Sequence, residues 1–237
     1  MCGRYNIVTN AKALIDAFGV IKENMAALEA YLPQYNIPPT SKNLKQLTHA
    51  PIVRNSPQGR RIDMVMWPFI PKWANGQLIK VLGKYSTINA KAENLASSKS
   101  YQHAWENNQR CLIPATGFYE WQITQQGGPK QPYHIQIKDQ PIFAMAGIWE
   151  KSGDIESFAI LTTEANQLMA EIHNENKRMP VILKADQIET WLNGSMEEAE
   201  KCISQYADDL MIAFKITTAV NNPGFNDPKC VEPIADE

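Results

Sequence analysis

The sequence opens Met1-Cys2-Gly3-Arg4-Tyr5. An initiator methionine is normally removed when a small residue follows it, and Cys is small. Removal leaves Cys2 with a free α-amine beside its thiol. An α-amine titrates near about 7.7–8.0, so part of it is neutral at neutral pH. A neutral amine condenses with an aldehyde to a Schiff base. The thiol, a strong nucleophile as its thiolate, can close onto the same carbon and form a thiazolidine ring. The amine can instead serve as the thiol's base in attack on an amide. Two chemistries are therefore open here: aldehyde capture, and hydrolysis by an N-terminal nucleophile. While Met1 is attached, that nitrogen is an amide and neither can begin.

Two further residues carry proton chemistry. Glu120 lies in Gly117-Phe118-Tyr119-Glu120-Trp121, a carboxyl among aromatics. Desolvation pushes such a carboxyl toward its protonated form and suits it to give and take protons. His173 stands where a helical pattern gives way to Asn174-Glu175-Asn176-Lys177 and then Arg178-Met179-Pro180. His49, His103 and His134 carry no such pattern. Trp67-Pro68-Phe69-Ile70-Pro71-Lys72-Trp73 sets two indoles and a Phe on stiff backbone beside a lysine. It reads either as a platform for unpaired bases or as an apolar plug under a loop.

The elements that must hold these residues follow from periodicity and breakers. Residues 2–8 read as a strand. Thr9 or Asn10 can cap a helix over 11–18 that Gly19 stops, and a short helix fits 24–30. The two prolines of Tyr35-Asn36-Ile37-Pro38-Pro39-Thr40 predict a rigid loop. Strands over 46–54 and 60–67 join through Ser56-Pro57-Gln58-Gly59. Residues 86–94 read as a polar entry into a mostly helical region reaching Asn108. Strands follow over 110–115, 117–121, 133–137, 142–149, 157–163, 181–183 and 211–219. Helices fit 164–172, 186–192 and 196–206. The pattern predicts an α+β fold, one domain over 1–222 with a mostly antiparallel sheet core and peripheral helices, followed by a loosely ordered tail over 223–237.

Composition narrows the class. The chain has 237 residues, 44% apolar and 20% charged, as expected of a globular protein. No apolar run approaches a membrane span, and the N-terminus lacks a signal-peptide core. This predicts a cytoplasmic protein, nuclear in a eukaryote. Cys2, Cys111, Cys202 and Cys230 lie far apart, predicting reduced thiols with no disulfide framework and no metal site. The net charge of −2 argues against indiscriminate coating of nucleic acid. However, residues 72–110 are enriched in lysine and residues 186–209 in carboxylates, which reads either as one basic face for a polyanion with the acidic segment turned away or as two ordinary solvated helical surfaces.

Taken together, several motifs resemble the SRAP family, the SOS-response-associated peptidase-like proteins that crosslink to abasic sites in single-stranded DNA. They are the opening Met1 to Tyr5, Tyr35 through Thr40, Trp67 through Trp73, Asn89-Ala90-Lys91-Ala92-Glu93, Cys111-Leu112-Ile113-Pro114-Ala115 with Gly117 through Trp121, and Ile172-His173 with Arg178-Met179-Pro180. They fall in family order from residue 1 to about 220. The resemblance implies that Cys2 joins the opened sugar of an abasic site through a thiazolidine after Met1 is cleaved. It implies that Asn89 bonds at the reacting sugar and amine, that Glu120 shuttles protons, and that His173 assists sugar opening, lyase chemistry or reversal. Arg4, Lys91 and Arg178 would face DNA phosphates and Trp67 the bases. No cofactor or metal, no membrane and a monomeric state are implied. Three departures stand out: Lys91 where the family commonly has Arg, Pro68-Phe69 where it has Gly-Leu, and a lengthened stretch between His173 and Arg178.

The rival class is an N-terminal-nucleophile amidohydrolase, because glutamine amidotransferases also begin Met-Cys-Gly. That class needs a synthetase partner domain, of which the sequence has no sign. A non-catalytic single-strand binding module is the third reading.

Overall fold

A computed structural model describes residues 2–21, 25–39, 47–138 and 140–235. Met1, Asn24, Thr40 and Gln46, on which parts of the expectations above fall, lie outside the described residues.

The chain runs Tyr5–Ile7 (β1), Ala11–Phe18 (α1), Met25–Tyr31 (α2), Gln34–Ile37 (β2), Thr48–Ser56 (β3), Gly59–Trp67 (β4) and Asn89–Lys91 (β5). It continues through Gln102–Glu106 (α3), Arg110–Ala115 (β6), Gly117–Ile123 (β7), Lys130–Ile137 (β8), Phe143–Ser152 (β9) and Ile155–Glu164 (β10). The last third holds Gln167–Ile172 (α4), Arg178–Pro180 (β11), Ile182–Leu183 (β12), Ile188–Asn193 (α5), Met196–Glu200 (α6) and Met211–Lys215 (β13).

Local signals start and stop these elements as expected. The Asn10 side chain accepts from the Ala13 amide at 2.9 Å, and Gly19 closes α1 at φ 59. The Asn166 side chain likewise caps α4 through the Met169 amide.

Two sheets form the fold. One has the order β13-β8-β7-β1-β2, with all pairs antiparallel. The other runs β10-β4-β3-β6-β9 and returns to β10, closing a barrel-like ring that also carries β5, β11 and β12. Closure rests on a parallel contact, Ser157 opposite Met66. The fold is α+β, and its pairings are mostly antiparallel. The core fills the ring and the space between the sheets with Tyr5, Ile7, Trp67, Phe118, Phe158, Trp105 and Trp191, all nearly or wholly buried. Burying large apolar side chains supplies the main driving force, roughly 1.5–3 kcal/mol for each.

Several expectations need correction. Helix α4 begins at Gln167 because β10 runs on through Glu164, α6 stops at Glu200, and β13 ends at Lys215 before a 3-10 turn over Thr218–Asn221. The region reaching Asn108 is not mostly helical: α-helix is confined to the short α3, with one 3-10 turn over Ala92–Asn94, and within the polar entry Asn89–Lys91 form β5, parallel to β10. Tyr35 to Ile37 belong to an edge strand, because the prolines follow the strand instead of interrupting it. The C-terminal segment is packed, not loose. The Asn226 side chain accepts from the Tyr35 and Asn36 amides at 2.7 and 3.1 Å, and Cys230 is fully buried beside Tyr119 and Val220.

Candidate active site

Cys2 immediately precedes β1, the strand wedged between β2 and β7. A buried polar network holds β1 in place. The Asn6 amide donates to the Tyr119 hydroxyl at 2.8 Å and lies 2.7 Å from His134 Nε2, while Thr116 donates to Asn6 Oδ1 at 2.7 Å. Gly117, opposite Asn6, makes room for the imidazole: a Cβ there would sit 2.0 Å from His134 Nε2. Burial lowers the His134 pKa to about 3, so the ring stays neutral and serves structure.

Held in this way, Cys2 is wholly buried, with its thiol directed at the Arg4 carbonyl 3.7 Å away. Burial, reinforced by the Glu120 charge, pushes the thiol well above its ordinary range. The thiol is therefore poised to react as S–H, giving up its proton only as it bonds. Asn89, at the start of β5, donates its side-chain amide to the Cys2 carbonyl at 3.0 Å. Its own carbonyl accepts from the Tyr101 hydroxyl at 2.9 Å.

Glu120 lies on β7 and His173 at the C-terminal end of α4. Burial pushes Glu120 up to about 7, and burial also lowers His173. Their facing atoms, Glu120 Oε2 and His173 Nε2, are 3.7 Å apart. His173 Nδ1 is 2.9 Å from the Arg178 carbonyl, which can only accept, so Nδ1 carries the hydrogen and Nε2 offers a lone pair. A protonated Glu120 and a neutral His173 can therefore pass one proton between them near neutral pH. Both line a small cavity of about 250 Å³ with Trp121, Lys130, Glu175 and Asn176. Among the described residues, no group of three His, Cys, Asp or Glu is placed to hold a metal ion.

The fold thus gathers Cys2, Asn89, Glu120 and His173 from four separate elements. The cationic and aromatic positions behave differently. Trp67 does not face outward: it is 0% exposed, stacks on Phe158, meets Tyr5 edge-on and donates to the Ile88 carbonyl at 2.9 Å. Its place is to position the chain entering Asn89. The outward rings are Trp73 and Tyr85, 45% and 57% exposed and edge-on at 6.0 Å. With Lys99, Ser100, Gln102, His103 and Glu106 they line a groove of about 780 Å³. Trp73 stands in the proline-framed stretch, yet nothing in that stretch tells which indole turns out. Tyr85 carries no sequence signal.

Arg4 donates to the Val220 and Asn221 carbonyls, each at 2.8 Å, and ties the chain's two ends together. Arg178 makes a two-pronged pair with Glu93 at 2.8 and 2.9 Å and donates to the Thr162 carbonyl at 2.6 Å. Both guanidinium groups are thus engaged within the protein. Lys91 is exposed on β5 opposite Thr162 of β10, on the same flank as the Arg178–Glu93 pair.

A buried cysteine at position 2, backed by an amide and a buried acid–histidine pair, between an open sheet and a closed strand ring, defines the class of site. The sequence profile described as SOS response associated peptidase (SRAP) matches residues 1–223, and the chain belongs to that family. It is 31% identical to the abasic site processing protein YoqW of Bacillus subtilis (strain 168), over 98% of this chain and 99% of that one. It is also 31% identical to the abasic site processing protein HMCES of Gallus gallus, covering 86% of this chain and 67% of that one. A crystal structure of a protein from Bacteroides thetaiotaomicron superposes with a TM-score of 0.83 at 28% identity, covering 99% of this chain and 100% of that one.

Proposed function

We propose that the protein processes abasic sites in single-stranded DNA by joining them covalently to Cys2 once Met1 is gone. The observation that carries this reading is the convergence on Cys2: Asn89 on its carbonyl, and the Glu120 charge acting on its thiol.

An abasic sugar is in equilibrium with an open-chain aldehyde. The Cys2 amine adds to the aldehyde carbon to give a carbinolamine. Glu120, protonated near neutral pH, delivers a proton to the departing hydroxyl, which leaves as water. The iminium so formed returns its N–H proton to the Glu120 carboxylate, the C=N carbon accepts the Cys2 sulfur, and the thiol proton ends on nitrogen. The net change is aldehyde plus aminothiol giving thiazolidine plus one water. His173 Nε2 takes or returns the Glu120 proton between steps, and its lone pair suits it to assist ring opening of the closed sugar and lyase chemistry. The buried, protonated thiol favours an order in which nitrogen reacts first and sulfur closes the ring. Autocleavage of Met1 supplies the free Cys2 amine that these steps require.

Single-stranded DNA needs no base reading, only stacking and phosphate contacts. Trp73 and Tyr85 supply exposed rings, and Lys72, Lys80, Lys84, Lys91 and Lys99 are exposed cations on the surrounding segment. The groove meets the site through Tyr101, which lies between Ser100 and Gln102 and bonds Asn89. The test is incubation with a single-stranded oligonucleotide carrying one abasic site, followed by a denaturing gel. A band that survives denaturation is expected. Its absence, with ammonia released from glutamine instead, would favour the amidohydrolase.

A further inference from the structure

The stretch between His173 and Arg178 forms a built loop. The Asn174 side chain accepts from the Ile123 amide at 3.0 Å and donates to the Ile123 carbonyl at 2.9 Å, docking the loop onto the end of β7. The Lys177 amide bonds the His173 carbonyl at 2.8 Å, and the Ala165 amide bonds the Lys177 carbonyl at 3.0 Å. The loop therefore sets Glu175 and Asn176 over the cavity that Glu120 and His173 line. From the opposite wall Lys130, first residue of β8, reaches Glu175 Oε2 at 2.5 Å.

We propose that Lys130 is a phosphate-contact residue of this site and that Glu175 holds the ammonium group until a phosphate of the damaged strand replaces it. The inference rests on the reading of Cys2 as the capturing residue. Lys130 and Glu175 are 43% and 50% exposed, so their pair is wet and weak. Exchanging that carboxylate for a phosphate therefore costs little. The ammonium also lies close enough for its charge to act on both Glu120 and His173. An abasic sugar entering the cavity carries phosphates on either side, and the Lys130 ammonium stands at the cavity wall as a point charge able to meet one. A strand would thus be gripped beside its reactive sugar, while a free sugar would not. Glu175 in turn repels strands that do not deliver a phosphate to that position.

The experiment compares capture rates for two aldehydes on the full chain freed of Met1. One is a single-stranded oligonucleotide with one abasic site, and the other is 2-deoxyribose, which offers an aldehyde without phosphate. In Lys130→Met the ratio of the two rates should fall about tenfold, the scale of one charge-assisted hydrogen bond. The slope of log rate against log salt for the oligonucleotide should lose about 0.7, one phosphate contact on a single strand. Lys130→Arg should restore both, and Glu175→Gln should raise the oligonucleotide rate at low salt. Lys130→Met with the wild-type ratio and slope would overturn the proposal, as would proportional loss on both aldehydes. If wild type captures neither aldehyde, the reading of Cys2 fails, and this inference fails with it. Capture of both by wild type, with an unresponsive Lys130→Met, would remove only the phosphate contact.

Discussion

His173 Nε2 faces Glu120 Oε2 at 3.7 Å, while its Nδ1 is held 2.9 Å from the Arg178 carbonyl. That carbonyl fixes the tautomer, and the tautomer fixes the direction of proton movement. Burial raises the Glu120 acid to about 7 and lowers the His173 imidazole facing it.

The rate of adduct formation should therefore inflect near pH 7. Glu120→Gln should remove the inflection and slow capture by roughly 10²–10⁴-fold, the range for a general acid–base group. Stopped reactions across pH 5–9 check this. An unaltered profile in the Gln variant would take Glu120 out of the proton path.

Stability carries the same signature. The folded Glu120 value, about 7, lies above its ordinary 4.5, so the folded chain binds this proton more tightly than the unfolded one. The contribution is fully present below about 4.5 and is lost as pH rises through about 7. Glu120→Gln should therefore gain on wild type in urea midpoint between pH 5 and pH 8. A constant difference across that window would contradict the raised value.

Trp67 and Trp73 should separate cleanly. Trp67→Ala empties a core position and should cost about 3–5 kcal/mol of stability. Trp73→Ala should leave the urea midpoint nearly untouched and weaken single-strand binding by about 1–3 kcal/mol, the value of one stacked base. Urea unfolding and fluorescence titration with an oligonucleotide measure the two. The reverse assignment would return Trp67 to the DNA face.

Deleting residues 223–237 should lower the thermal midpoint, because it removes the Asn226 bonds to β2 and the buried Cys230. Arg4→Met should lower it as well, since the Val220 and Asn221 carbonyls lose their donor. A truncated chain that melts like the whole one would make the segment an appendage.

Much of this was legible in residue pattern. The strand over 110–115, the Gly117 start of β7 and the hairpin through Ser56 to Gly59 appear where periodicity and turn residues put them. The positions of Glu120 on a strand and His173 at a helix end were legible because an aromatic strand and a helix end carry recognisable patterns. What was not legible depends on distant partners. Asn89–Lys91 is too short to show a period and is a strand only because β10 pairs with it in parallel. The choice between Trp67 and Trp73 is made by Phe158 and Tyr5, far away in sequence. The C-terminal segment reads as polar and proline-rich, yet it folds because Asn36 and Tyr35 supply its hydrogen-bond partners.

Intact mass measurement, before and after exposure to an abasic oligonucleotide, tests the central claim most directly. It should show a chain lacking its first methionine, then a product heavier by the oligonucleotide less one water, with the added mass on the N-terminal peptide. The Cys2→Ala protein should give no such durable product. Purified protein that retains Met1, or a Cys2→Ala adduct as lasting as that of wild type, would contradict it.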